Sequence, residues 1–241
     1  MQTNVLIIGA SGGIATALTE QLLNDESIAH LVTVSRSAVP SQAAKHRHVI
    51  INSQNEDEIK AFVQEQKGQY KFHRVICCTG ILHAQAEPVL KPEKRLEDMR
   101  PEQFIEYFKV NTVVPALWIK HAIHLVDKAH SSIVVFSARV GSISENALGG
   151  WYGYRSSKAA LNMIVKTAAV EYARRSANTV LICYHPGTVD TDLSKPFQAN
   201  VKPEKLFTPA FTASQLLKHT ANLSPEASPY YLDWDGKTIN W

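Results

Sequence analysis

The sequence predicts an α/β fold: one doubly wound parallel sheet of about seven strands with helices on both faces. Three observations predict it. Short runs of branched apolar residues alternate with stretches of helical periodicity from one end of the chain to the other. The runs are continuously apolar rather than alternating, as strands covered on both faces are. Whole helices separate them, which calls for right-handed crossovers between parallel strands.

In chain order, "NVLIIGA" (Asn4 to Ala10) is the first strand and "IATALTEQLLN" (Ile14 to Asn24) the helix behind it. "HLVTVSR" (His30 to Arg36) and "HVIIN" (His48 to Asn52) are the next two strands. "EDEIKAFVQEQ" opens on acidic residues, which suit the positive end of a helix dipole, and "HRVICCTG" is the fourth strand. Residues 101–126 read as one long helix, begun by Pro101 and bent by Pro115. The strand "SSIVVFSA" follows, then a helix headed by "GGWYGYRSSKAALN" (Gly149 to Asn162) and the strand "NTVLICYHPG". A loop rich in Pro and Lys, from Thr191 to Pro209, leads to the helix "AFTASQLLKHTANL" and the closing run "PYYLDWDGKTINW". Neither a linker nor an internal repeat divides the 241 residues, so 1–241 is read as a single domain.

Composition narrows the partners. The formal charge is 25 − 22 = +3, too mild to argue for nucleic acid or an acidic membrane surface. No apolar run approaches the roughly 18 residues of a membrane span. The three cysteines include the adjacent pair Cys77 and Cys78, a poor disulfide framework that points to a reducing compartment. The chain runs into its first strand with no basic-then-apolar leader. A cytoplasmic protein is expected.

The turn "LIIGASGGIATAL" carries the first functional signal. Gly9 ends the strand, Gly13 and Ala15 start the helix, and Ser11, Gly12 and Ile14 complete the loop. Glycines there allow a sharp turn and let backbone amides approach a pyrophosphate, with the helix dipole adding to the attraction. The position predicts dinucleotide binding in a Rossmann-type fold. At the end of the second strand stand Ser35 and Arg36, where an NAD-preferring enzyme favours a carboxylate. A guanidinium can instead grip a 2′-phosphate through paired hydrogen bonds, so NADP(H) is expected over NAD(H).

With these motifs in order, the chain resembles the short-chain dehydrogenases/reductases over nearly its whole length. The carriers are Gly9 to Ala15, Gly80 after the fourth strand, Asn111 in the long helix, Tyr154-x-x-x-Lys158, and "PGTVDT" (Pro186 to Thr191). "SARVGSI", "HPGTVDTDLSKPF" and the closing "WDG" are similar to the C-factor-like and sniffer-like carbonyl reductase branch. The resemblance implies an NADP(H)-dependent enzyme that reduces a ketone or aldehyde to an alcohol. It further implies that Thr79 and Gly80 flank the cofactor and that Pro186, Gly187, Val189 and Thr191 receive its nicotinamide amide. Asn111 would keep the helix open around a proton-relaying water, and self-association into a homodimer or homotetramer would use the long helices.

Two departures stand out. The family's Asn-Asn-Ala-Gly is Cys77-Cys78-Thr79-Gly80, and the cysteines are read as small buried hydrophobes. The catalytic serine's position is held by Ala138, so Ser137 is the expected substitute, with Ser142 a second candidate. Ala138 also motivates an alternative: a nucleotide-binding regulatory protein of the C-factor type with little turnover. Nucleotide-sugar epimerisation is disfavoured by the glycine spacing and the short C-terminal region.

The pair Tyr154 and Lys158 has a physical reason for its spacing. Residues i and i+4 share a helix face about 5–6 Å apart. An ammonium roughly 5 Å from a phenol, at an effective dielectric near 20, favours the phenolate by about 3 kcal/mol. That would lower the tyrosine pKa towards neutrality and make Tyr154 the general acid/base, with Lys158 also holding the nicotinamide ribose as the family implies. Substrate walls are expected from loops 142–153 and 191–209, where Trp151, Tyr152 and Phe197 suit an apolar or aromatic compound.

Overall fold

The computed structural model describes residues 2–40 and 43–241. Among the described residues nine strands are formed: β1 (Thr3–Ile8), β2 (Ile28–Ser35), β3 (His46–Ile50), β4 (Arg74–Cys77), β5 (Ser131–Phe136), β6 (Thr179–His185), β7 (Thr188–Val189), β8 (Leu206–Phe207) and β9 (Tyr230–Asp233). Seven make one sheet in the order β3-β2-β1-β4-β5-β6-β9, every pair parallel. The order reverses between β1 and β4, where a doubly wound sheet opens a crevice at its carboxyl edge.

Strand β1 shows why both faces are covered. Its Val5 and Ile7 enter the apolar cluster that also holds Ala15, Leu18 and Leu216, while Leu6 and Ile8 enter the opposite cluster with Phe62, Trp118 and Leu161. Alternate side chains of one strand therefore feed two cores. The first core is capped by α1 (Gly13–Leu23) and α6 (Pro209–His219), the second by α2 (Glu56–Gln66), α4 (Val114–Ala122) and α5 (Tyr152–Arg175). Asn55 caps α2 by accepting from the Asp57 amide at 3.1 Å, ahead of three acidic first-turn residues. Among the described residues no helix is long and apolar enough to cross a membrane.

The expected single helix over 101–126 is instead two. α3 (Pro101–Phe108) gives way to a π-helical turn over Lys109–Val113, and α4 starts at Val114. Pro115 has no N–H, so the Asn111 carbonyl four residues earlier loses its regular donor. The Asn111 side chain, meanwhile, is pulled outward to another segment. The irregularity therefore sits ahead of the proline. The third strand begins two residues earlier than expected, and the short pair β7–β8 had no sequence signal. That pair ties Thr188 and Val189 to Leu206 and Phe207, so the segment between them folds back over the carboxyl edge of the sheet.

Candidate active site

A cleft of about 690 Å³ lies at the carboxyl ends of the strands. Gly9 turns the chain out of β1 with φ +82°, a left-handed conformation; a Cβ here would stand 3.2 Å from the Thr79 side chain and backbone. Ser11, Gly12, Gly13 and Ile14 border the cleft at the amino end of α1, whose first turn carries no acidic residue. Thr79 and Gly80 border it from β4, Ser137, Tyr154 and Lys158 from β5 and α5, and Pro186, Gly187, Val189 and Thr191 from the segment after β6. The remaining expected site residues stand outside its lining. Gly9 supports the turn from behind, and Asn111 is buried deeper. Ser35 donates to the Ser37 carbonyl at 2.7 Å, and Arg36 is exposed at the end of β2 with no ion pair among the described residues.

These residues fit a dinucleotide. A Cβ at Gly12 would meet only the Gly9 carbonyl at 3.6 Å, and one at Gly13 would press on the Thr191 side chain at 3.0 Å. The amide-lined turn is thus open towards the cleft, and the field of α1 favours an anion there.

Tyr154 and Lys158 project from the first two turns of α5 and are both buried. The Lys158 ammonium lies 5.8 Å from the centre of the Tyr154 ring and donates to the Phe136 carbonyl at 2.7 Å. The expected lowering of the tyrosine pKa is not found. Burial pushes the Tyr154 phenol up, with Tyr231 adding to the effect. Burial also drives Lys158 down to about 8, opposed by Cys77 and Cys183. Desolvation sets the direction of both shifts, and neither group is among the causes of the other's. Asn111 accepts from the Ile81 amide at 2.7 Å and donates to the Ile81 carbonyl at 3.0 Å and to Ser157 Oγ at 3.1 Å. Its side chain thus braces the loop after β4 against α5.

The expected serine borders the cleft, but its hydroxyl is bonded to α5. Ser137 Oγ donates to Asn162 Oδ1 at 2.6 Å, two helical turns beyond Tyr154 on α5. Ala138, in extended backbone, packs instead in one apolar cluster with Tyr154, Tyr107, Leu82 and Leu90. Neighbouring residues of an extended chain point apart, and here the methyl takes the side that faces the tyrosine. Ser142 does not border the cleft; its Oγ accepts from the Glu145 amide at 3.2 Å. Of the paired cysteines, Cys77 is buried, while Cys78 is half-buried and borders the cleft.

The outer wall is aromatic. Trp151 and Phe197 border the cleft with ring centres 5.2 Å apart, whereas Tyr152 does not reach it. Trp151 has φ +53°, the one positive value at a non-glycine among the described residues, directly after Gly149 and Gly150 at +64° and +66°. Two side chains clamp this strained turn. Arg155 donates to the carbonyls of Gly150 at 2.9 Å and Gly149 at 3.0 Å. The buried Glu93 carboxylate accepts from the Gly153 amide at 3.2 Å, and its backbone carbonyl accepts from Trp151. Across the cleft, His83 Nε2 hydrogen-bonds the Asp192 carbonyl at 2.8 Å, joining the loop after β4 to the loop after β7.

Sequence reasoning missed Glu93, Arg155, His83 and His185. Glu93 sits in a charged loop without periodicity, and His185 was read only as the start of the Pro-Gly turn.

The comparisons agree with this architecture. The family model described as short chain dehydrogenase matches residues 3–202. The chain is 27% identical to the 1-hydroxy-2-glutathionyl-2-methyl-3-butene dehydrogenase of Rhodococcus sp. (strain AD45), over 99% of this chain and 100% of that one. It is 34% identical to the C-signal protein of Myxococcus xanthus over 44% of this chain and 58% of that one. Among solved structures, carbonyl reductase Sniffer of D. melanogaster superposes with a TM-score of 0.82 at 21% identity, covering 100% of both chains. The NADPH-bound carbonyl reductase from chicken fatty liver gives 0.83 at 23% identity, covering 100% of this chain and 99% of that one. At such identities the structural likeness speaks for the fold. The family match, spanning residues 3–202 of 241, speaks for more: this chain is an oxidoreductase of the short chain dehydrogenase family.

Proposed function

We propose that the protein reduces an aromatic or otherwise apolar ketone or aldehyde to the alcohol, with NADPH as reductant and Tyr154 as proton donor. One observation carries the reading: the amide-lined turn after β1, the Tyr154–Lys158 pair and the Pro186–Gly187 turn border a single cleft. Bound NADPH would supply the hydride. Tyr154, protonated at neutral pH, would give its hydroxyl proton to the carbonyl oxygen. Lys158 places a positive charge behind the phenol. Arg36 would grip the 2′-phosphate. Leu82, Val140, Trp151 and Phe197 supply the apolar wall, so loops 142–153 and 191–209 would set substrate choice. Exposed Met163 and Val170 on α5 support assembly into a dimer or tetramer.

The test is NADPH consumption against a panel of aryl ketones, diketones, aldehydes and quinones, with wild type and Tyr154→Phe. Reduction should vanish in the variant while NADPH still binds. Unchanged turnover would remove the tyrosine from the mechanism. A second reading, a nucleotide-binding regulator with little turnover, is favoured by the alanine at 138. It predicts NADPH binding with no reduction of any panel member.

A further inference from the structure

A carbonyl oxygen seated on the Tyr154 hydroxyl gains from a second donor, because negative charge gathers on it in the transition state. The residue best placed to supply one, at position 138, is an alanine. Three hydroxyls close to this wall are committed. Ser137 gives its proton to Asn162, Tyr231 to the Ala138 carbonyl at 2.6 Å, and Ser194 to the Val189 carbonyl.

His185 is not committed. It ends β6 and borders the cleft together with Ala138 and Tyr154. Among the described residues no hydrogen bond reaches its ring; Nδ1 is enclosed and Nε2 is not, which leaves Nε2 as the nitrogen open to the cleft. Strand alternation fixes its side of the sheet. Residues 183 and 185 share a face, and Cys183 packs in the cluster that holds Leu161 and Val165 of α5. His185 stands one pleat further towards the carboxyl edge. An N–H on Nε2 is therefore free to meet a ligand oxygen in the cleft.

We infer that His185 is a catalytic residue: its neutral imidazole donates a hydrogen bond to the substrate carbonyl oxygen beside Tyr154, in the role that a hydroxyl at position 138 would otherwise fill. The inference rests on the reductase reading. The imidazole keeps its proton throughout. The C=O π bond breaks as the hydride reaches carbon, and the oxygen takes its proton from Tyr154 alone. Burial first, and Arg139 next, lower the His185 pKa to about 4, against the pull of Asp233 and Glu145. The ring is therefore neutral at pH 7, with one N–H to give.

The test uses His185→Ala, His185→Gln and the double variant Ala138→Ser/His185→Ala, assayed with the best ketone of the panel. NADPH affinity and Tm are measured on each protein. The expected loss in kcat for His185→Ala is about 100-fold, with NADPH affinity kept. His185→Gln, which retains an N–H, should lose less, and Ala138→Ser should restore at least about tenfold in the double variant. A His185→Ala kcat within threefold of wild type overturns the assignment, as does a double variant no better than the single one. Should His185→Ala fail to fold, full activity in a folded His185→Asn and His185→Leu pair overturns it, and a selective kcat loss in the leucine variant upholds it. An active wild type with an indifferent histidine sinks this inference alone. A wild type that reduces nothing sinks the reductase reading and this inference together.

Discussion

Ser137 and Asn162 are joined by a 2.6 Å hydrogen bond, and Asn162 Nδ2 in turn donates to the Gly141 carbonyl at 3.3 Å. The serine hydroxyl thus lashes the end of β5 to α5. Ser137→Ala should leave the buried Asn162 oxygen without its donor and cost about 1–2 kcal/mol. Turnover should stay within about twofold, since the deleted bond contributes to stability rather than to the barrier. Thermal unfolding and steady-state kinetics on the same preparation check this. Lost kcat at an unchanged Tm would return Ser137 to the chemistry.

The buried ammonium of Lys158 gives a signed dependence on pH. Its pKa falls from 10.5 to about 8, so the folded chain binds fewer protons than the unfolded chain between those values. The cost of burying the charge is felt in full below pH 8 and fades as pH rises to 10.5. Lys158→Met should therefore stabilise the ligand-free protein at pH 7 by about 1–3 kcal/mol, with the gain shrinking towards pH 10.5, while reduction is lost. Denaturant unfolding at several pH values reads the gain. In wild type, kcat/KM for carbonyl reduction should fall above about pH 8 as the ammonium titrates. A flat profile to pH 10 would contradict it.

Arg36 is exposed at the end of β2 and makes no ion pair among the described residues. Replacing it by aspartate exchanges a phosphate donor for a hydroxyl acceptor. The ratio of kcat/KM for NADPH over NADH should drop by about 10–100-fold, the equivalent of one or two charge-assisted hydrogen bonds. An unaltered ratio would refute the assignment.

Arg155 holds the carbonyls of Gly149 and Gly150, on either side of the strained approach to Trp151. Arg155→Leu should loosen that turn and raise the KM for an aryl ketone several-fold, about 1 kcal/mol, while NADPH affinity holds. Trp151→Ala should raise KM further for aromatic than for short aliphatic substrates. Equal effects on both would exclude the indole as a wall for rings.

The parts of this molecule legible in the sequence are those fixed by local chemistry. Val5 to Ile8 declare a twice-covered strand, Gly9 a turn that a side chain would obstruct, and Tyr154 with Lys158 a shared helix face. What resisted reading depends on contacts between distant segments. Whether Ser137 or Ala138 faced Tyr154 turned on the twist at one strand end. Whether Lys158 could draw down the tyrosine pKa turned on burial, which composition does not reveal. The π turn at Asn111 needed both the missing amide of Pro115 and the remote Ile81 backbone. Glu93 acquires its purpose only when α5 is brought beside it.

The bridge from His83 to the Asp192 backbone joins the loop after β4 to the loop after β7 with one imidazole hydrogen bond. Such a bond is worth about 1 kcal/mol, against a seven-stranded frame that does not need to move. Parting these two loops would cost little, whereas Tyr154 and Lys158 stand on a helix packed against the sheet.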